Sequence, residues 1–274
     1  MKIRTLVRII SLSGVLLFLG AKTDLKAQPF EAGTGFLHLY AGIMKAKVNT
    51  DAYFDANIPS VNTSLSLEDD LNFKEDPSLL YLKAYVGGLF QVVGSYQSLH
   101  RTGQSNLTES FAFGDSVYQV GANIDGYFNT DLYSASMHFS IIRNELVTAG
   151  LSLGLRYLKM EAGVDAESYG QHFIRDGSFN VPIPVLGAHA SVYIIPGLLG
   201  RASFDYFSLT IDGTKGKSLD ASLSAEYYLL KYLGVGAAYT YFSVEAENLP
   251  ENDLYLRDIK YNVSGLSIYA ALRF

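Results

Sequence analysis

The sequence predicts an all-β protein: a transmembrane, antiparallel up-and-down β-barrel of about ten strands. Three observations predict it. The last nine residues, 266–274, alternate apolar with small, amphipathic or charged side chains and end on Phe274. Similar period-two stretches recur along the chain, and their shared apolar face can be covered by lipid once the sheet closes on itself. A basic leader with a short apolar run opens the chain, which indicates export.

The leader is the first element. Lys2, Arg4 and Arg8 precede an apolar run over residues 9–19, which is too short to span a bilayer. We therefore predict a signal peptide over residues 1–27, with cleavage near Ala21 or Ala27, and a barrel over residues 28–274. The protein is expected to cross the periplasm and insert in the outer membrane of a Gram-negative envelope.

Composition narrows the function classes. The chain has a net charge of -6, and the leader carries five basic residues and one acidic residue, so the rest carries about -10. Nucleic acid is therefore an unfavourable partner. The chain has no cysteine, which excludes disulfides and thiolate zinc sites. It has 20 Tyr and 16 Phe but no Trp, so Tyr and Phe would form the interfacial belts. A soluble, Tyr-rich β-sandwich is the alternative.

Alternation and turn residues together predict ten strands. Because an up-and-down barrel with both termini at one end has an even number of strands, eight and twelve are the alternative counts if predicted strands merge or split. The predicted ranges are 36–48, 78–87, 89–100, 121–141, 145–160, 184–195, 198–212, 217–230, 233–246 and 259–274.

The predicted connections alternate between short and long. Four are tight turns at 87–88, 142–144, 196–197 and 231–232. All but one of the others, the short 213–216, are long and polar: 49–77, 101–120, 161–183 and 247–258. Short turns at one end and long loops at the other are typical of a barrel with both termini in the periplasm.

The strand over residues 217–230 assigns the two faces most clearly. Leu219, Leu223 and Tyr227 fall on the lipid side, whereas Asp220 and Glu226 fall in the lumen. Extending this phase to the other strands predicts a polar lumen network that consists of Lys83, Gln91, Gln97, His138, Arg156, His189, Arg201, Asp205, Asp220, Glu226 and Arg273.

Charges in a narrow lumen must pair, and Arg201 and Asp205 with Asp220 and Glu226 form the best local set. Two interpretations stay open. The network either fills and rigidifies the interior, or lines a narrow conduit or ligand site, since ten strands enclose a lumen only modestly wider than eight.

Two predicted outer loops are strongly acidic. Dense carboxylates can gather a divalent cation such as calcium or attract cationic solutes, although such runs are also ordinary solvated loops. The order of the acids does not match a spaced calcium loop, and we assign no metal. The acidic residues are Glu68, Asp69, Asp70, Glu75, Asp76, Glu247, Glu251 and Asp253.

The five histidines do not form a recognisable catalytic group. His100 and His172 lie near or in outer loops and could be drawn into a hydrolytic site at the barrel mouth, but their spacing does not favour one. No phosphate loop or dinucleotide motif is present. We therefore expect no enzyme activity and no cofactor, and keep an outer-membrane hydrolase as an alternative.

The C-terminal strand carries an expected insertion signal, formed by Tyr269, Leu272 and Phe274. The expected partners are outer-membrane lipid, periplasmic chaperones and the barrel-insertion machinery. A monomer is expected rather than an oligomer.

Three segments resemble those of uncharacterised bacterial outer-membrane barrels, loosely akin to OmpA-type and OmpW-type small barrels. They are residues 66–71 (SLEDDL), 111–122 (FAFGDSVYQVGA) and 149–155 (AGLSLGL). The resemblance implies the fold and the location and brings no catalytic residues. The sequence thus favours a non-enzymatic envelope protein, either structural or a porin-like narrow channel for small or cationic solutes. The alternative is a surface binding or adhesion protein that acts through its long outer loops.

Overall fold

A computed structural model describes residues 37–54, 64–73, 78–87, 90–107, 110–113, 116–168, 171–250 and 256–274. The predicted signal peptide, residues 1–27, lies outside these ranges. Within them, ten strands of 10 to 25 residues form one antiparallel sheet that closes on itself, and three strands of three residues each lie outside that ring. None of the described residues belongs to a helix that is long and apolar enough to cross a membrane.

The strands are numbered along the chain. The ten barrel strands are β1 (Leu37–Phe54), β3 (Ser78–Gly87), β4 (Phe90–Asn106), β7 (Asn123–Arg143), β8 (Val147–Ser168), β9 (Gln171–Ile195), β10 (Leu198–Ile211), β11 (Thr214–Tyr228), β12 (Leu233–Glu247) and β13 (Leu256–Arg273). The short strands are β2 (Ser64–Ser66), β5 (Phe111–Phe113) and β6 (Ser116–Tyr118).

Pairing between the first and last strands closes the barrel. β1 pairs with β13 from His38↔Arg273 to Phe54↔Leu256, and each other barrel strand pairs with its neighbours along the chain. Closure leaves no free sheet edge, whose unpaired backbone N–H and C=O groups could not form hydrogen bonds with lipid. The predicted fold, topology and count of ten strands are confirmed among the described residues.

The predicted long outer loops are partly wrong, because several strands continue where loops were expected. β1 extends to Phe54, β4 to Asn106 and β8 to Ser168, and β9 begins at Gln171. The alternation persists there, as Met160 and Ala162 point inward between polar or small neighbours. The outward residues are polar because water, not lipid, surrounds this part of the barrel, so the segments resembled loops.

A belt of exposed apolar side chains encircles the end of the barrel where the short turns lie. Ile43, Leu186, Leu223 and Ile268 are each about two thirds exposed. Aromatic pairs border the belt, including Tyr96 with Tyr133, whose ring centroids are 4.9 Å apart. Lipid must cover such a surface, so the protein is an integral barrel of the outer-membrane type.

Outside this belt the barrel interior is apolar, so the polar lumen network does not run the whole length of the barrel. Ile124, Met160, Val244 and Ile259 lie in one buried cluster with residues from most of the other strands. The physical reason is that the outward face there meets water, so the apolar core moves inside, as in a soluble barrel.

Residues 64–73, here called the inner cap, complete this apolar interior. β2 pairs with residues 51–53 of β1, and Leu67, Leu71 and Phe73 then join the buried cluster. The cap fills the space that the short strand β3 leaves between β1 and β4.

Candidate functional site: the lumen and its outer closure

The lumen within the belt contains two charged clusters. In the first, Arg156 on β8 contacts Asp205 on β10 at 2.8 Å and Asp220 on β11 at 3.4 Å. The Ser152 hydroxyl donates a hydrogen bond to Asp205 at 2.7 Å. Asp205 and Asp220 are direct partners across two strands. Two opposed carboxylates repel each other, so Arg156 makes this pair tolerable.

The second cluster is centred on Glu226, which is buried. The Arg201 guanidinium contacts it at 2.9 Å, and the hydroxyls of Tyr228 and Tyr40 donate to it at 2.9 and 3.3 Å. Arg201 also lies over the ring of Tyr85, 5.0 Å from its centroid. Since Tyr85 is on β3 and Arg201 on β10, this cluster reaches across the lumen.

The remaining residues of the predicted lumen network lie around these clusters. The Lys83 ammonium is 5.1 Å from the centre of the Tyr85 ring, and the rings of His138 and His189 stack at 4.3 Å. Gln91 and Gln97 line the internal cavities. Arg273 lies at the periplasmic rim, where it donates to the carbonyl of Lys231 at 2.7 Å.

The pairing within the network differs from the set expected from sequence. Arg201 pairs with Glu226, but Asp205 and Asp220 pair with Arg156 instead. Arg156 is two strands from Asp205 along the sheet, and its side chain reaches past β9 on the lumen side to contact it. Local register alone does not show such a contact.

Among the described residues, two adjoining cavities inside the belt have volumes of about 60 and 20 Å³. Volumes of this size hold a few water molecules rather than a solute. The side chains beside them include three cations and three carboxylates, so the lumen has no strong net charge. They are Lys83, Arg156, Arg201, Asp205, Asp220 and Glu226.

A buried ion pair holds the inner cap. Glu68 contacts the Arg101 guanidinium and accepts a hydrogen bond from the Thr50 backbone N–H at 2.6 Å. Arg101 donates to the Thr50 hydroxyl at 2.8 Å and lies between the rings of Phe73 and Phe128, 5.5 and 5.4 Å from their centroids. Sequence reasoning placed Glu68 in an acidic outer loop and missed Arg101. The signal was that Arg101 has the inward phase of β4.

Glycine makes room for the cap. A Cβ atom at Gly103 would lie 2.3 Å from the Leu71 carbonyl oxygen and 2.5 Å from the Phe73 ring. Only glycine permits this approach of the cap backbone to β4.

The other predicted acidic residues do not form a shared site where the structure describes them. Asp70 accepts a hydrogen bond from the Ser66 backbone N–H at 2.7 Å, Asp69 is exposed, and Glu247 pairs with Lys215 at 3.0 Å. No group of three His, Asp or Glu side chains suited to a metal ion occurs among the described residues. Four predicted residues lie outside the described ranges: Glu75, Asp76, Glu251 and Asp253.

The histidines of the hydrolase alternative are not brought together in the described part of the chain. His100 is exposed on β4, and the side chain of His172 lies outside the described residues. In the predicted insertion signal, Leu272 and Phe274 share the outward phase, whereas Tyr269 points inward, 5.5 Å from Tyr40 between ring centroids.

The chain matches no protein-family model and no curated protein sequence. Its fold is similar to that of the crystal structure of the outer-membrane protease OmpT from Escherichia coli, with 8% identity and a TM-score of 0.55 over 89% of this chain and 98% of that chain. Ail of Yersinia pestis, solved with the heparin analogue sucrose octasulfate, has 16% identity and a TM-score of 0.36 over 88% and 99% of the two chains. A Pseudomonas aeruginosa FadL homologue has 10% identity and a TM-score of 0.33 over 87% and 90%. The fold is that of bacterial outer-membrane β-barrels.

Proposed function

We propose that this protein is a non-enzymatic outer-membrane barrel with a closed lumen, and that it acts at the cell surface as a binding protein. The observation that carries the proposal is that side chains cross the lumen at two separate levels. A structural role for the membrane-embedded part accompanies this function, and the channel interpretation becomes second.

The periplasmic level is closed by the Glu226 cluster. Arg201 connects β10 with Tyr85 on β3, and the Tyr40 ring packs against those of Tyr85 and Tyr269 at 5.6 and 5.5 Å. Opening a path here requires breaking a buried ion pair, which costs several kcal/mol, about 3–5 when one partner is left unpaired. Thermal motion of single side chains therefore does not open it.

The outer level is closed by the inner cap and by a contact across the barrel. The hydroxyls of Thr130 on β7 and Tyr261 on β13 share a hydrogen bond of 2.8 Å. Leu71, Phe73 and Phe128 pack around this level and are nearly completely buried. An apolar layer of this kind opposes the passage of ions, since it offers no replacement for their hydration.

The working surface is the extension of the strands beyond the belt. β8 and β9 remain paired as far as Ser168↔Gln171, so this hairpin has strands of 22 and 25 residues. Paired strands hold their shape, so the extension offers a fixed surface for a ligand and loses little entropy on binding.

A binding array tests the proposal. Proteoliposomes that contain the protein are passed over an array of immobilised oligosaccharides and lipids. They are compared with a variant in which residues 163–176 are replaced by Asn-Gly, which shortens the hairpin at the pair Ala162↔Gly177. We expect retention on at least one surface, lost in the short-hairpin variant and kept in the lumen variant Arg201→Ala. No retention on any surface, or equal loss in both variants, contradicts a surface role for the extension.

A gated conduit is the second candidate, and the Glu68–Arg101 contact favours it. This pair and packed side chains hold the cap to β4. The small cavities lie deeper in the barrel, on the periplasmic side of the cap. If the cap left, a small solute would meet the neutral lumen network. The conductance of the Arg101→Met variant in a planar bilayer tests this candidate.

A further inference from the structure

The barrel wall opens between β9 and β10 at its outer end. β10 pairs with β9 from Leu198↔Ile195 to Tyr206↔Leu186, and the pairing stops there. Beyond this point residues 171–185 pair with β8 only, and residues 207–211 pair with β11 only. Within the described residues, the wall therefore has a seam that starts near the outer border of the apolar belt.

Two prolines explain where the pairing stops. Pro184 and Pro182 are the next residues of β9 with the same phase as Leu186, and neither has a backbone N–H. β9 pairs with β8 through both of them, at Leu155↔Pro184 and Tyr157↔Pro182. A proline fits a paired strand only where its nitrogen points away from the partner, which here is toward β10. β10 thus loses two donors in succession.

The seam exposes part of the apolar interior. Leu209 and Ile211 on β10 have the inward phase but are 45% and 59% exposed. By contrast, Met160 and Val244, which are inward residues on other strands beyond the belt, are 1% and 5% exposed. Across the seam, Phe179 and Val181 on β9 are only partly buried. The seam is therefore an apolar cleft next to the outer surface of the bilayer.

We propose that this cleft binds the acyl chain of an anionic lipid of the outer leaflet. The inference goes beyond the proposed surface function, because the cleft lies apart from the tip of the β8–β9 hairpin that the array tests. An added β-strand is a poor occupant, because Pro182 and Pro184 cannot donate hydrogen bonds to it. An acyl chain needs no donors, and the cleft continues from the surface that lipid already covers.

Charge beside the cleft favours an anionic headgroup. Lys217 and Lys215 project outward on β11, directly opposite Ser208 and Thr210 of β10. Their contacts with Glu245 and Glu247, at 4.0 and 3.0 Å, are exposed ion pairs of little energetic value. A lipid phosphate or carboxylate at the cleft mouth can therefore recruit these ammonium groups.

Site-directed fluorescence quenching tests the inference. The chain has no cysteine, so single cysteines at Leu209→Cys, Ile211→Cys and Thr210→Cys can each carry one bimane label. The proteins are placed in nanodiscs with phosphatidylglycerol or phosphatidylcholine that carries brominated acyl chains. Residue 210 lies between 209 and 211 along β10, but its side chain points outward, so its label reports only how near this part of the strand is to the bilayer. Leu223→Cys, in the belt that lipid covers, is the positive control.

We expect loss of fluorescence at residues 209, 211 and 223 and retention at 210, with greater loss in phosphatidylglycerol. Replacing Lys215 and Lys217 by glutamine should remove that lipid preference. Equal quenching at 209, 210 and 211 would overturn acyl-chain entry, and equal quenching by both lipids would overturn the anionic headgroup. A disulfide between two unlabelled Ile211→Cys chains would instead show that a second copy fills the cleft. None of these outcomes alters the array result, so the surface function is judged separately.

Discussion

The inner cap gives a prediction whose magnitude follows from its contacts. Arg101→Met removes the guanidinium but keeps an apolar stem between the Phe73 and Phe128 rings. Glu68 then loses its ion pair, although its side chain is only 15% exposed, and keeps the hydrogen bond from the Thr50 N–H. Breaking a buried pair costs about 3–5 kcal/mol, and partial exposure with one remaining hydrogen bond reduces this to about 2–3.

The cap, not the barrel, should respond to this change. Leu67, Leu71 and Phe73 still favour the closed cap by roughly 5–9 kcal/mol of burial, at about 1.5–3 kcal/mol each. The cap thus stays mostly closed but opens more often. A loss of 2–3 kcal/mol raises the open population roughly 30- to 150-fold.

Hydrogen exchange measures this opening directly. The Leu67 and Phe73 amides donate to the carbonyls of Thr50 and Leu67 at 3.0 and 3.1 Å, so they exchange only when the cap opens. Arg101→Met should accelerate the exchange of both amides roughly 30- to 150-fold. Adding Glu68→Gln, which removes the unpaired charge, should restore part of the protection. Lys217→Met, which removes an exposed cation, is the matched control. Unchanged exchange at Leu67 and Phe73 would refute the reasoning.

Three further predictions follow from the same contacts. Gly103→Val places a side chain where the Leu71 carbonyl lies, so exchange of the cap amides should increase, whereas Gly94→Ala on the same strand, whose nearest contact is 3.9 Å away, should leave them unchanged. Arg156→Leu leaves Asp205 and Asp220 unpaired and should lower the free energy of unfolding by about 3–5 kcal/mol in a denaturant titration, with partial recovery when both become Asn; equal stability of Arg156→Leu and wild type would contradict the pairing. Tyr261 lies beyond the belt, where burial raises its pKa from 10.0 to about 12, so its stabilising effect is complete below pH 10 and is lost as the pH rises through 12. In an alkaline titration of tyrosinate absorbance, Tyr261→Phe should remove one tyrosine that ionises near pH 12. Loss of a tyrosine that ionises near pH 10 instead would count against the burial of Tyr261.

The sequence predicts most of the barrel because lipid enforces a strict pattern. Leu223 and Tyr227 alternate with Ser224 and Glu226, and lipid covers one face throughout, so period two specifies strand, face and register. The ten strands and their short turns could be predicted for this reason.

The outer part could not be predicted in the same way, since water replaces lipid there. Lys159 and Glu161 point to solvent while Met160 and Ala162 point inward, and the polar half of this pattern resembles a loop. The lumen residues could be named, but their partners could not. Arg156 reaches past β9 to Asp205, and Arg101 reaches Glu68 in the inner cap, and such contacts depend on the curvature of the closed sheet. The inner cap, for example, brings Glu68 to Arg101 of β4 and Thr50 of β1, and the alternation within each segment gives no sign of these contacts.

Single-channel conductance in a planar bilayer tests the central claim, the closed lumen, most directly. Folded wild-type protein is compared with Arg101→Met and with Arg201→Ala, and a heat-modifiable gel shift verifies that each variant is folded. The closed lumen predicts a silent wild type, and a silent Arg101→Met as well, because the Glu226 cluster still blocks the periplasmic level. Discrete, reproducible openings of the wild type would contradict it, and openings of Arg101→Met alone would show that the cap is the gate of a conduit.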